Sequence, residues 1–143
     1  MKLITTHIGE IEYAPSAVIR FEEGIPGFES YKEYILVFSE DPALPFHYLQ
    51  SIERADLALI VTSPFLFVED YDFELPDEVV NKLDIKSPEE LYVYSVVTIP
   101  HKVEHATINL TAPIIINTTN HRAKQVILTD IDDVRHPLFL KRG

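Results

Sequence analysis

Ten prolines are spread along almost the whole of this 143-residue chain, and their spacing restricts its fold more than any other feature. Proline breaks the interior of a helix, and within sheets it is confined to edge strands and strand ends. Intervals this short leave room for short strands and little room for long helices. The proline pattern therefore predicts a fold built mostly from β-strands.

Short apolar or alternating runs between the prolines indicate where these strands lie. The runs are residues 17–21, 34–38, 46–52, 57–61, 91–99, 103–111, 114–117 and 125–129. Residues 91–99 and 103–111 are expected to form one hairpin, connected by residues 100–102. The last two runs are expected to form a second hairpin.

Helical signals are confined to two short segments. Pro76, Asp77 and Glu78 open the first, and Lys82 lies near its end, which suits the dipole of a helix. Residues 87–90 have the form of a capping box and predict one helical turn. We therefore expect a mostly β, single-domain antiparallel β-barrel-like or sandwich fold of short strands, with one or two short helices, spanning residues 1–143.

The sequence also indicates where in the cell the protein is located. The chain lacks an apolar run near the roughly 18 residues that cross a bilayer, and it does not begin with the apolar stretch of a signal peptide. We therefore expect a cytoplasmic protein without a membrane partner. The absence of cysteine excludes disulfides, thiolate metal sites and cysteine nucleophiles.

The charge is strongly negative and unevenly distributed. Acidic residues number 23 against 12 basic ones, for a net charge of −11. Residues 69–90 alone hold nine acids and two bases, a net charge of −7. Because nucleic acids attract proteins through Lys and Arg, this balance disfavours direct nucleic-acid binding. It favours a basic protein partner, or a role in keeping RNA away from one.

One short motif suggests catalysis. Residues 101–105 read HKVEH, the pattern of inverted zinc proteases. Residues four apart are about 6 Å apart along a helix but about 13 Å apart along a strand, so the motif needs a helix. Pro100 and the alternation of residues 103–111 argue instead for a hairpin loop with exposed histidines. A zinc metallohydrolase using His101, Glu104 and His105 is kept as an alternative.

Other catalytic signatures are missing from the sequence. It contains four glycines, no glycine-rich phosphate loop and no Gly-x-Ser-x-Gly elbow. We therefore expect a protein that is not an enzyme and needs no cofactor or metal. A small-ligand-binding β-barrel is a further alternative, and it would need an apolar cavity with converging polar groups.

Aromatic and acidic residues interleave in residues 65–74. Such a surface can bury rings while it presents carboxylates to a basic partner. The same pattern also fits a segment with its rings in the core and its acids in water, and the sequence leaves both interpretations open. The predicted partner-binding residues are Phe65, Phe67, Glu69, Asp70, Tyr71, Asp72, Phe73 and Glu74.

Six ordered blocks resemble the FliW family of bacterial flagellar assembly factors. They are GIPGFE at 24–29, PF and LQS within 45–51, VTIP at 97–100, NLTAPI and IN within 109–117, KQVIL at 124–128 and RHPL at 135–138. The motif residues with architectural roles are Gly24, Pro26, Gly27, Phe28, Pro45, Phe46, Gln50, Asn109, Pro113, Asn117 and Gln125. Ala123 departs from the family, which often has glycine there, and this bears on the shape of the loop at 118–123.

The resemblance implies a regulatory function. Members of the family bind flagellin before its export, and they bind CsrA, a dimeric RNA-binding repressor of translation. Flagellin that captures the FliW-like protein thereby releases CsrA, which couples flagellin synthesis to secretion. The resemblance thus implies flagellin and CsrA as partners, and we expect a monomer when neither is bound. We further hypothesise that the acids of residues 69–90 repel RNA from bound CsrA.

Overall fold

The computed structural model describes residues 1–38 and 45–139, and most of these residues belong to antiparallel sheet and its connections. The strands are β1 (Lys2–Thr5), β2 (Gly9–Glu12), β3 (Ile19–Arg20), β4 (Glu33–Phe38), β5 (His47–Ser51), β6 (Ala58–Thr62), β7 (Leu91–Thr98), β8 (Thr107–Ile108), β9 (Ile114–Asn117), β10 (Ala123–Gln125) and β11 (His136–Pro137). Helix α1 spans Asp77–Lys82, and 3-10 turns lie at Pro15–Ala17, Pro64–Leu66, Pro88–Glu90 and Val103–His105. The mostly β prediction is confirmed.

The long strand β7 organises the sheet. The order is β10-β9-β7-β6-β5-β4-β3, and each neighbouring pair is antiparallel. β7 pairs with β9 along Leu91 to Tyr94, and then with β8 through Val97 and Thr98. β11 adds to β8, while β1 and β2 form a separate hairpin. One strand therefore anchors two branches of the sheet.

The two ends of this strand order meet without forming a ladder. Arg20 of β3 and Arg122, next to β10, make one isolated parallel bridge, and the Arg20 N–H donates to the carbonyl of His121 at 2.9 Å. The sheet thus curves until its ends touch, but its ladder is not closed into a barrel. The prediction of a barrel-like fold is therefore right about the curvature of the sheet, but the sheet is not closed into a barrel.

The predicted strands are confirmed where apolar residues run continuously. Strands β4, β5, β6, β7 and β9 lie within one residue of the predicted ends. The prediction for residues 17–21 was too long, because Pro15 opens a 3-10 turn that continues to Ala17 and leaves only Ile19 and Arg20 paired. The short helical segments begin as predicted, at Asp77 after Pro76 and at Pro88 after Ser87.

The prediction of a strand at 103–111 was also too long. Val103–His105 is a 3-10 turn, and only Thr107 and Ile108 pair with β7. The ladder ends at Asn109, whose Oδ1 accepts hydrogen bonds from the N–H groups of Thr111 and Ala112. The predicted alternation of faces is nevertheless confirmed, since Ala106, Ile108 and Leu110 are all buried.

The second predicted hairpin forms two residues earlier than expected. Its returning strand is Ala123–Gln125 instead of 125–129, and Ala123 pairs with Ile116. The sequence prediction missed the hairpin of β1 and β2 and the two-residue strand β11, because their apolar residues are few.

The side chains of strand β9 alternate between two core clusters: Ile114 and Ile116 pack in one, and Ile115 packs beneath α1 in another.

Candidate functional site

The segment at 65–74 leaves the sheet as a series of turns and forms no strand. Pro64 is fully buried and opens a 3-10 turn, and its carbonyl accepts the N–H groups of Phe67 and Val68. The Tyr71 N–H then donates to the Val68 carbonyl at 3.2 Å. These turns carry the chain away from the end of β6 and towards helix α1.

The aromatic rings of this segment differ in burial. Tyr71 is 7% exposed, and its hydroxyl donates to the Leu110 carbonyl at 2.7 Å. Burial, with a smaller effect from the Asp130 charge, raises the pKa of Tyr71 to about 12, so the phenol stays a donor. The Phe65 and Phe73 rings lie 5.8 and 5.3 Å from the Tyr71 ring, and Phe65 is 44% exposed.

The acids of the segment face solvent. Glu69, Asp70, Asp72 and Glu74 are exposed, whereas Phe67 and Phe73 are half-buried against the core. Each of the two interpretations of this segment is therefore partly right. Tyr71 and Phe67 pack in the core, whereas Phe65 and the acids lie on the surface. The partner-binding role of the eight residues stays a prediction.

A groove of about 790 Å³ lies between this segment and the beginning of β7, and we call it the acidic groove. Its residues are Ser63, Phe65, Asp72, Phe73, Glu74, Leu75, Val80, Ile85, Lys86, Ser87, Pro88, Leu91, Tyr92, Val93, Tyr94 and Ile115. The lining is mostly apolar, and Tyr92 stays 49% exposed. Asp72 and Glu74 place two carboxylates at its edge. Four of the eight predicted partner-binding residues line this groove, namely Phe65, Asp72, Phe73 and Glu74, and none of its β7 residues was among them.

Asn117 holds the helical wall of the groove against the sheet. It is fully buried in β9, and its Nδ2 donates to the carbonyls of Leu83 and Asp84 at 2.9 and 3.2 Å. These carbonyls follow the last turn of α1, where backbone acceptors lack helical partners. The Asn117 Oδ1 accepts from the N–H of Thr119 at 3.0 Å. One side chain thus fixes the end of the helix and the next loop.

Glu23 joins the same helix to the loop after β3. Its carboxylate pairs with Lys82 at the end of α1 and with Lys124 of β10. Hydrogen bonds from Lys124 and then Lys82 lower the pKa of Glu23 to about 2. Three elements are therefore tied by one carboxylate that is still half exposed.

The GIPGFE block forms the tight turn that its residues predict. The Phe28 N–H donates to the Ile25 carbonyl at 2.7 Å, with Pro26 and Gly27 at the corners and Gly27 at φ +91°. Proline followed by a residue of positive φ is the pattern of a type II turn. Ile25 is buried and Phe28 is half-buried.

The other motif residues lie mainly in structural positions. Phe46 and Pro113 are buried, Pro45 accepts a hydrogen bond from Thr62, and the Gln125 amide donates to Ala112. Gln50 is fully buried and donates to the Ser51 carbonyl at 2.9 Å.

The loop at 118–123 keeps its shape without glycine. Its positive φ falls on His121, at +58°, while Ala123 lies in β10 with its side chain buried. The departure from the family at this position therefore leaves the turn intact, because the strained backbone is two residues earlier.

The HKVEH residues are neither on an α-helix nor on a strand. They are exposed, and Val103, Glu104 and His105 form the 3-10 turn before β8. Across residues 1–38 and 45–139, no three His, Cys, Asp or Glu side chains are grouped closely enough to hold a metal ion. The zinc alternative thus lacks a ligand set in this part of the chain. None of the helices in these residues is long and apolar enough to span a membrane.

Comparison with known proteins gives a consistent family. The family model described as FliW protein matches residues 2–138. A flagellar assembly factor FliW of Alkaliphilus metalliredigens is 47% identical over 128 residues, which cover 90% of this chain and 79% of that protein. The corresponding protein of Caldicellulosiruptor saccharolyticus is 45% identical over 130 residues, covering 91% and 82%.

A solved structure gives the same result for the fold. The crystal structure of a flagellar assembly factor FliW superposes with a TM-score of 0.92 at 33% identity, and the match covers 100% of both chains.

Proposed function

This chain belongs to the FliW family of flagellar assembly factors, and from that premise we propose that it regulates by holding protein partners and catalyses no reaction. In this proposal it binds flagellin in the cytoplasm before export, and it antagonises the translational repressor CsrA. The two partners exchange on the protein, so that free flagellin releases CsrA. Flagellin translation is in this way coupled to its secretion.

The acidic groove is the observation that carries the proposal. It combines an apolar floor with exposed aromatic rings at Phe65 and Tyr92 and with carboxylates at Asp72 and Glu74. Its one lysine, Lys86, is ion-paired with Asp84. Aromatic side chains in a desolvated pocket supply much of the affinity of protein interfaces, and charges at the rim steer the partner. The groove therefore suits a partner segment that presents apolar side chains beside basic ones.

Exchange requires that the two partners bind at each other's expense. Flagellin can alter repression only if its binding lowers the affinity for CsrA, and the coupling is reciprocal. A shared groove produces this coupling by simple exclusion. Each 1.4 kcal/mol of relative affinity then shifts the exchange by a factor of about ten.

Substitution of an exposed ring tests this use of the groove. Phe65→Ala should weaken the binding of both flagellin and CsrA by about tenfold or more, because it removes an aromatic anchor without disturbing the core. Phe38→Ala is the matched control, since Phe38 is 57% exposed and lies outside the groove. Calorimetric titration measures both. Undiminished affinity of Phe65→Ala for both partners would remove the groove from the proposal.

Repulsion of RNA is the second part of the proposal. The exposed acids of residues 69–90 would lie near the phosphates of RNA approaching bound CsrA, and their field extends about 10 Å at 0.1 M salt. Neutralising Asp72 and Glu74 as Asp72→Asn and Glu74→Gln should weaken RNA displacement, as should added salt. The control pair is Glu10→Gln and Glu12→Gln on the separate hairpin. The idea fails if the Asp72 and Glu74 variant displaces RNA as well as the parent.

A further inference from the structure

A second groove, of about 640 Å³, shares no lining residue with the acidic groove. We call it the basic groove. Its residues come from the GIPGFE turn, from β6, β7, β8 and β10, and from the segment before β11. They are Ile25, Pro26, Phe28, Leu59, Val96, Thr98, Pro100, His105, Thr107, Asn109, Gln125, Val134 and Arg135. It lies beside the GIPGFE turn.

The charge of this groove is opposite to that of the whole protein. None of its lining residues is an acid, although the chain carries a net charge of −11. Arg135 and His105 are exposed at its edge. Within residues 1–38 and 45–139, Arg135 forms no ion pair, so its guanidinium is available to an incoming carboxylate. The lining itself therefore offers one guanidinium to an anionic group, on a protein that is acidic overall.

The floor of the groove is apolar and its rim is polar. Leu59, Val96 and Phe28 are half-buried and pack on the core cluster that contains Ile25. Thr98, Thr107 and Asn109 lie along the rim among the strand ends. A floor of this kind holds an apolar side chain, while the polar rim can pair with backbone groups of an extended segment.

We propose that the basic groove binds a short acidic segment of a protein partner. One apolar side chain of the segment lies on Leu59 and Val96, and a neighbouring carboxylate accepts hydrogen bonds from the Arg135 guanidinium. Guanidinium and carboxylate form paired, charge-assisted hydrogen bonds, which fix orientation as well as adding affinity. This inference does not depend on which partner occupies the acidic groove.

The openness of the site favours a peptide segment over a free small acid. Pro26, Thr98, Pro100, His105, Val134 and Arg135 are all exposed although they line the groove. Sites for small ligands usually bury most of the ligand surface. This rim instead leaves both ends of the groove accessible to a continuing chain.

Residues of the family motifs support a surface role for this groove. Pro26, Asn109 and Gln125 were expected to have architectural roles, yet their side chains converge here from three separate blocks. Pro26 is exposed at the tip of its turn and adds little to the core. The turn therefore shapes the groove in addition to burying Ile25 in the core.

Fluorescence anisotropy with labelled peptides tests the proposal. The probe is a short peptide that alternates leucine with glutamate, and its counterpart has lysine in place of glutamate. The parent protein should bind the glutamate peptide, and Arg135→Glu should weaken this binding by about tenfold or more. Lys102→Glu is the matched control, because Lys102 is exposed and lies outside the groove. It should change the affinity by less than about threefold.

Three results would overturn the proposal. Arg135→Glu could weaken binding of the lysine peptide, which suits the acidic groove, as much as binding of the glutamate peptide, or it could bind the glutamate peptide like the parent. Octanoate could bind while the glutamate peptide does not, which would assign the groove to a small apolar acid instead. Circular dichroism of each variant verifies that the fold is kept, as expected for exposed positions.

Discussion

Tyr34 and Tyr71 are both buried, but their hydroxyls are satisfied differently. The Tyr71 hydroxyl donates to Leu110, while the Tyr34 hydroxyl has no hydrogen-bond partner among the residues that the structure describes. Burial, with a smaller effect of Glu53, raises the pKa of Tyr34 to about 12. Leaving a buried hydroxyl unpaired costs about 1–3 kcal/mol of folding free energy. The two tyrosines therefore form a natural pair for comparison.

We predict opposite effects of removing the two hydroxyls. Tyr34→Phe should leave the free energy of unfolding unchanged or raise it by up to about 2 kcal/mol, because an unpaired polar atom is lost. Tyr71→Phe should lower it by about 1–3 kcal/mol, because the Leu110 carbonyl loses its donor. Urea denaturation measures both. Equal losses in the two variants would show that Tyr34 has a partner of its own.

Gly24 and Gly27 define a second prediction at the residue scale. A Cβ on Gly24 would lie 2.5 Å from the Cα of Glu29, whereas a Cβ on Gly27 meets no atom within 4 Å. Both residues have positive φ, so both Gly24→Ala and Gly27→Ala carry backbone strain of about 1 kcal/mol. Gly24→Ala adds the overlap and should lose about 2–4 kcal/mol of stability in the same assay. A smaller loss at Gly24 than at Gly27 would contradict the turn geometry.

These residue roles were only partly predictable from the sequence. The turn at 24–29 follows from its one proline and two glycines, because proline fixes φ and glycine permits positive φ. The buried hydrogen bonds of Asn117 and Tyr71 did not follow. Each joins atoms more than 30 positions apart, at |i−j| of 34 and 39, and local pattern gives no information about such pairs.

Among the elements, helix α1 has only six residues and depends on its attachments. A helix this short is marginal alone, so tertiary contacts must hold it. We predict that Asn117→Ala lowers the free energy of unfolding by about 1–3 kcal/mol, because the Asp84 carbonyl loses its side-chain donor and the Leu83 carbonyl keeps only that of Asn120. Asn81→Ala, exposed on the same helix, is the control and should change stability little. Equal effects of the two substitutions in thermal unfolding would show that Asn117 does not anchor the helix.

The ion pairs of Glu23 with Lys82 and Lys124, which we call the Glu23 clip, stabilise the attachment of α1 to a degree that depends on pH. The pKa of Glu23 is lowered from 4.5 to about 2 in the folded protein, so the clip stabilises fully above pH 4.5 and is lost as pH falls towards 2. The carboxylate is half exposed, which limits the contribution to below about 1 kcal/mol.

We therefore predict that Glu23→Gln is less stable than the parent near neutral pH and that the difference shrinks on acidification. Denaturant unfolding at several pH values measures it. Glu22→Gln, an exposed neighbouring substitution, should show no such convergence. A difference between Glu23→Gln and the parent that stays constant down to about pH 2.5 would remove Glu23 from this role.

The strands divide into those that sequence could locate and those that it could not. β4, β6, β7 and β9 carry apolar runs and are partly or fully buried, so their positions follow from composition alone. β3 and β8 are limited to two residues by neighbouring turns, and the hairpin of β1 and β2 is largely exposed. Turn geometry and long-range pairing decided these shorter elements, and periodicity does not report either.

At the scale of the whole molecule, our proposals depend mainly on the arrangement of charge. A protein of net charge −11 presents an apolar groove edged by carboxylates and, on separate residues, a groove edged by Arg135 and His105. Charge composition predicted the acidic side. The basic groove could not be predicted, because the fold brings its residues together from distant blocks.

Competition between partners tests the central claim most directly. CsrA is titrated calorimetrically into the protein alone and into the protein saturated with flagellin. We predict that CsrA binds the free protein and that its apparent affinity falls as flagellin is added, because the two compete for one groove. An unchanged affinity for CsrA in saturating flagellin, or binding of neither partner to the purified chain, would contradict regulation by partner exchange.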